Sequence, residues 1–485
     1  MKRLSRILWA ILLITLPVTS FRYLPFMGTG TVVRPLALYP LLALLPVLLI
    51  LAWRRELKAP VSPHFTVLLA FVLAAIGATA LGAAFAPIEL RSADYFERAG
   101  RAFLTLGIGL SFFLAAVCMN KNADDLKFTV KWLMVGLAAQ LVWGAIQFIG
   151  LNSGHRAELK QIQELFSVRG LVKNKRISGF TFEPSWLASQ LATLYLPWLA
   201  AMLFGQQVLA WRRAAVNGLP FIVNLVLLLG ALAALLATYS RSGLAVTAFA
   251  AVITFSVAGR RLLQSVWAWF LAGFRRSDVK KRFDGWQAAL GRTLLVLTAL
   301  ALIAASGAFL ARKGYIARLW TSDFDSLWGY LVDVSLGPRV AYASAGMAAF
   351  DKNPLTGVGL GASGFSIYQN LPDGVLMGVP EIAEALAPTS RLFPNPKNLY
   401  VRLLAETGLA GFALFVAFCL GLLADALKLL RHEREIARYL GAAAVFTLAA
   451  LALQSFSQDS LALPELWLNL GVLAGMGERR SQNDE

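Results

Sequence analysis

Long apolar runs, separated by short polar or basic interruptions, recur along almost the whole chain. A helix needs about 20 mostly apolar residues to cross the roughly 30 Å hydrocarbon core of a bilayer. The pattern therefore predicts helices near 7 to 20, 36 to 52, 64 to 85, 101 to 119, 131 to 150 and 184 to 204. A second set follows near 219 to 238, 241 to 258, 293 to 311, 399 to 424, 439 to 457 and 461 to 477. The expected fold is an all-α polytopic membrane protein of about twelve transmembrane helices. Residues 1–311 hold helices one to nine, with a basic loop at 151–183. A large loop, 312–398, joins helices nine and ten, and 399–485 carry the last three helices and a tail.

The first run follows Met1-Lys2-Arg3-Leu4-Ser5-Arg6 and has the basic start of a secretory signal. Val18-Thr19-Ser20 is a poor cleavage site, so an uncleaved span is expected. Orientation follows the lysines and arginines of the short loops, which stay on the cytoplasmic side. Arg54, Arg55 and Lys58, then Lys121, Lys127 and Lys131, the group from Arg260 to Arg292, and Lys428 to Arg438 all fall on one side. That assignment makes both termini cytoplasmic and sets the 151–183 and 312–398 loops outside.

Composition narrows the class. With 58% hydrophobic and 15% charged residues the chain is not a soluble enzyme. Its net charge of +18 could suit nucleic acid or an anionic membrane. Nucleic acid needs a contiguous soluble basic surface, which this chain lacks, so the charge is read as positive-inside bias and attraction to anionic headgroups. Arg260 to Arg276, with Trp267, Trp269 and Phe270 between basic ends, reads as an interfacial helix. Cys118 and Cys419 fall inside spans, and His64, His155 and His432 are scattered, so neither a metal site nor a disulfide framework is expected. No dinucleotide or P-loop signature appears, and no cofactor is expected.

Candidate chemistry gathers where ionisable residues meet a span boundary, since charge there usually marks function. The 151–183 loop sets six basic residues, Lys173 and Arg176 among them, against three glutamates, on the side where the positive-inside rule predicts little charge. It leads through Arg176-Ile-Ser-Gly-Phe-Thr-Phe-Glu183-Pro-Ser185 into a helix. Glu183 with Pro184 fits a helix entry, and the structural alternative is that Glu183 caps the helix and pairs with Arg176. Ser240-Arg241-Ser242-Gly243 forms a tight outer turn. In the large loop, Gly337-Pro338-Arg339 begins a helix that Asn353-Pro354 ends, followed by Leu355-Thr-Gly357-Val-Gly359-Leu-Gly361. Lys397-Asn398-Leu399-Tyr400 opens the next span, where Arg402 and Glu406 lie four apart on one face.

These segments, in this order, resemble the superfamily of Wzy-type polysaccharide polymerases and O-antigen ligases. The resemblance rests on Arg176 to Ser185, Ser240 to Gly243, Pro354 to Gly361 and Asn398 to Gly408, and covers roughly residues 170 to 411. It implies a GT-C-like glycosyltransferase, independent of metal, at the periplasmic face of the bacterial inner membrane. It also implies that an acceptor hydroxyl attacks the anomeric carbon of a polyprenyl-pyrophosphate-linked oligosaccharide, with inversion. A chain-length regulator and a flippase of the same pathway are the partners it implies.

Arginine suits the departing pyrophosphate because it stays charged and holds two oxygens at once. Arg176, Arg241 and Arg339 are the candidates, with Lys173, Lys397, Asn398, Tyr400 and Glu406 contacting substrate. Glu183 is the candidate for activating the acceptor. Lys397 stands where ligases of the superfamily, and many of its polymerases, carry histidine. Lysine does not ordinarily exchange protons near neutral pH, so the resemblance favours polymerisation, with ligation to another acceptor as the alternative. A twelve-helix solute transporter would show related halves and midplane polar residues, and neither is evident in the sequence.

Overall fold

The structure, a computed structural model, describes residues 1–23, 33–56, 63–85, 89–90, 93–171, 175–205, 220–272, 314–321, 326–371, 379–387 and 393–481, with isolated stretches between 290 and 312. It is an all-α polytopic architecture whose sole sheet among the described residues is the two-residue pairing of Glu89–Leu90 with Ala93–Asp94. Seven described helices are long and apolar enough to cross a membrane: Pro63–Gly82, Tyr95–Met119, Ala123–Asn152, Pro184–Phe204, Arg241–Ala258, Leu399–Arg431 and Glu435–Gln454. Lys2–Thr15, Leu38–Trp53, Phe221–Ala237 and Pro464–Ser481 lie where further spans are predicted. The predicted helix near 293 to 311 is described only in part, and its described residues are helical, whereas the end of the expected interfacial helix, of which Arg260–Ala272 is helical, lies outside the described residues.

Pro184–Phe204 is the most deeply buried of the seven. Around it, Glu435–Gln454 packs on Leu196–Gly205 and Arg241–Ala258, Leu399–Arg431 packs on Pro63–Gly82, and Tyr95–Met119 packs on Pro464–Ser481. Trp9, Trp198, Trp467, Tyr195 and Tyr439 are fully buried among these helices. Residues Leu191–Tyr195 form a π-helical turn, which misaligns backbone groups that apolar surroundings cannot satisfy. Asn469 compensates: its Nδ2 donates to the carbonyls of Thr193 and Leu194 at 2.9 and 3.3 Å, and its Oδ1 accepts from Trp198 Nε1 at 2.9 Å.

One pole of the bundle gathers the long loops. Phe21 bridges to Ser167, the Leu399 amide donates to the Ser455 carbonyl, and Tyr95 Oη reaches the Val358 carbonyl at 3.2 Å. The large loop carries a small core of its own, with Ala341, Tyr342 and Ala345 of the helix Gly337–Lys352 against Ile367, Val379 and Ile382.

The expected helix 399 to 424 needs correction in two respects. It runs on to Arg431, and it is broken at Gly408, whose φ of 63° and ψ of −171° are not helical. The break is filled by the glycine-rich segment. Val358 and Gly359 amides donate to the carbonyls of Ala405 and Glu406 at 2.9 and 3.0 Å, while the amides of Leu409 and Ala410 donate to Pro354 and Leu355. Non-helical backbone inside a span is tolerated only where protein satisfies it, and here four backbone groups from the loop do so. At Gly359, with φ of 98°, any Cβ would collide with Tyr95 Oη, so only glycine permits this approach.

Candidate functional site

The approach to the site is set by buried glutamines. Gln147 Oε1 accepts from the amides of Ser178 and Gly179 at 3.0 and 2.7 Å, and Gln140 Oε1 accepts from Phe180 at 2.9 Å. Gln147 and Gln163 in turn donate to the Gly179 carbonyl. A segment without regular structure is thereby given partners for its backbone, which burial requires. It delivers Glu183 to the N-cap position with Pro184 as the first helical residue. Glu183 makes no capping bond. Its Oε2 pairs with Arg169 Nη1 at 3.0 Å and Ser185 Oγ donates to its Oε1, so the partner expected in Arg176 is replaced by Arg169.

Beside Glu183 lies a cavity of about 400 Å³ at the loop-bearing pole. Its wall carries five basic side chains, Arg98, Arg101, Arg339, Lys397 and Arg402, against the acidic Glu183, Glu406 and Asp459. Serines 185, 189, 242, 363, 457 and 460 and Asn395, Gln454 and Gln458 add neutral donors and acceptors. Among these groups, Glu406 is 2% exposed. Its Oε2 pairs with Arg402 Nε at 3.0 Å and its Oε1 accepts from Ser363 Oγ at 2.7 Å. Arg402 Nη1 donates onward to the Asp459 carbonyl at 2.7 Å, and Asp459 Oδ2 accepts from the Lys397 amide at 3.2 Å. Burial pushes the Asp459 carboxyl above the usual carboxylate range despite the neighbouring Arg402 and Lys397. Arg98 sits over the Phe393 ring, 3.9 Å from its centroid, a cation–π contact joining a span to the large loop.

The expected residues divide into two groups. Glu183, Arg339, Lys397 and Glu406 line the cavity. Arg176, Arg241, Asn398 and Tyr400 are not among its lining residues, and their hydrogen bonds tie its walls together. Arg176 Nε donates to the Thr238 carbonyl at 2.7 Å, and Arg241 donates to the Val334 carbonyl, fastening the 238–243 turn to both loops. Asn398 Oδ1 accepts from the amides of Tyr400 and Val401 as the N-cap of its helix, and Tyr400 Oη donates to the Ala452 carbonyl at 2.6 Å. Lys173 lies outside the described residues. Replacing Asn398 with alanine is expected to cost about 1 kcal/mol through the lost cap, measured as a lower melting temperature of the purified protein. An unchanged melting temperature would contradict the capping role.

Sequence reasoning missed Arg98, Arg101 and Asp459. The signal was present: Tyr95-Phe-Glu-Arg98-Ala-Gly-Arg101 and Ser457-Gln-Asp459-Ser are charged boundaries at the same pole. They lie outside the four motifs that carry the resemblance.

These features define a class: a multi-pass membrane protein with a charged polar cavity at one end of its spans. Residues 224–416 match the family model Wzy_C, described as O-antigen ligase, and this bears out the resemblance drawn from the motifs. That stretch is similar to the Wzy-type polymerase and O-antigen ligase superfamily, whose members are membrane glycosyltransferase-like enzymes acting on lipid-linked glycans. The match includes Arg339, Lys397, Arg402 and Glu406 and leaves out Arg98, Glu183 and Asp459. No curated protein matches the chain.

Proposed function

We propose that the protein is a twelve-helix, GT-C-like glycosyltransferase that polymerises polyprenyl-pyrophosphate-linked oligosaccharide repeat units. It works at the periplasmic face of the bacterial inner membrane with both termini cytoplasmic. The observation that carries the reading is the cavity itself. Its wall holds more cations than carboxylates, and Glu406 already balances Arg402, so positive charge remains for an anion. A pyrophosphate matches that excess, and the neutral hydroxyl and amide groups suit sugar hydroxyls.

In the reaction an acceptor hydroxyl forms a bond to the anomeric carbon of the donor chain while the bond from that carbon to the pyrophosphate oxygen breaks. The electron pair leaves with the pyrophosphate. Arg98, Arg101, Arg339 and Lys397 stabilise that charge as it develops, which is most effective where donors are already in place. The pathway's chain-length regulator and flippase are the proposed partners.

The description of the matched family as O-antigen ligase supports a second reading, transfer of the glycan to a different acceptor. Lysine at position 397, where ligases and many polymerases of the superfamily carry histidine, weakens the ligase reading and leaves polymerisation as the first. The glycan profile of a deletion strain distinguishes the two. Acceptors capped with single repeat units are the expected outcome, whereas free polymer missing from its final acceptor would establish the ligase.

A further inference from the structure

We infer that Asp459, in the turn between the last two helices, is the general base that takes the proton from the acceptor hydroxyl. The assignment rests on the glycosyl-transfer reading and applies to polymerase and ligase alike. Three carboxylates line the cavity, and their oxygens are engaged differently. Glu183 has Arg169 on one oxygen and Ser185 on the other. Glu406 has Arg402 on one and Ser363 on the other. Each has a donor on both oxygens, which holds it in place and competes with an incoming hydroxyl.

Asp459 differs. Its Oδ2 accepts one hydrogen bond, from the Lys397 amide, and Oδ1 has no protein donor among the described residues. Asp459 is 6% exposed yet belongs to the cavity wall, so the little surface it keeps can face a ligand there. Two contacts fix its position, the Lys397 amide on its side chain and Arg402 on its own carbonyl. Lys397 holds a φ of +56°, uncommon for a residue with a side chain, and strain of this kind persists where the surroundings enforce it. Gln458, Ser457 and Ser460 flank the carboxyl and give an acceptor sugar further partners.

The proton balance is simple. The hydroxyl proton passes to Asp459 Oδ1, the oxygen bonds to the anomeric carbon, and the pyrophosphate departs with the electron pair of the broken bond. The raised proton affinity of the buried carboxyl brings it nearer the operating pH, where a general base is most effective. The groups that face it are Arg402, Lys397 and Glu406. Since only the ionised carboxyl accepts a proton, turnover falls as pH falls through its folded pKa.

The test uses the full-length protein in lipid nanodiscs with a synthetic polyprenyl-pyrophosphate repeat unit, following chain extension against pH. Asp459→Asn is expected to lower kcat about 100-fold or more with little change in KM, and to abolish the acid limb of the pH profile. Asp459→Glu should restore part of the rate with a displaced limb. Glu183→Gln should keep the limb. An Asp459→Asn protein that retains wild-type kcat, or an acid limb that vanishes in Glu183→Gln instead, overturns the assignment while leaving glycosyl transfer intact. A wild-type protein that forms no glycosidic bond overturns the functional reading and this assignment together.

Discussion

Arg339→Ala is expected to eliminate long-chain glycan while the protein still accumulates in the membrane. Arg339 projects from the first turn of Gly337–Lys352 into the cavity and is exposed there, so its removal leaves no buried group without a partner. Loss of one preorganised donor to developing charge typically lowers kcat about 10²–10³-fold. Arg339→Lys should recover part of this, because lysine keeps the charge but not the two-pronged geometry. Chain-length distribution on gels, alongside membrane abundance, is the measurement. Wild-type chain lengths from Arg339→Ala would remove Arg339 from the pyrophosphate site.

Glu406→Ala is expected to act on the fold as much as on the reaction. Deleting one member of a buried ion pair commonly costs about 3–5 kcal/mol, because the remaining charge is stranded. Here Arg402 would keep only the Asp459 carbonyl, and Ser363 would lose its acceptor. Thermal unfolding of the solubilised protein should show a large drop in melting temperature, and Glu406→Gln, which can still accept from Ser363, should fall between the two. An alanine variant that melts with the wild type would show that the pair contributes nothing to stability.

Depth in the membrane is one-dimensional information, and the sequence carries it well. The predicted helix at 241 to 258 coincides with Arg241–Ala258, and the one at 36 to 52 lies within two residues of Leu38–Trp53. The same reasoning gathered Arg176, Glu183, Arg241, Arg339 and Lys397 at the ends of apolar runs. Position around the bundle is a different quantity, decided by how distant helices pack. Arg176 and Arg339 look equivalent as boundary arginines, yet one fastens a turn and the other faces the cavity. Arg98 and Asp459 enter the site because Tyr95–Met119 packs on Pro464–Ser481 and Lys397 meets the turn at 459, contacts that no local pattern encodes. The break at Gly408 was hidden for a related reason. Hydropathy registers apolar residues and is blind to where the backbone ladder is handed to another segment.

That exchange of backbone partners imposes a length constraint. Pro354, Leu355, Val358 and Gly359 meet Leu409, Ala410, Ala405 and Glu406 in one fixed register, like teeth in a rack. One residue gained or lost between 354 and 359 would displace that register, and the Glu406 carboxylate with it. The stretch of the large loop with no regular structure of its own is therefore where the chain has the least freedom to change its length.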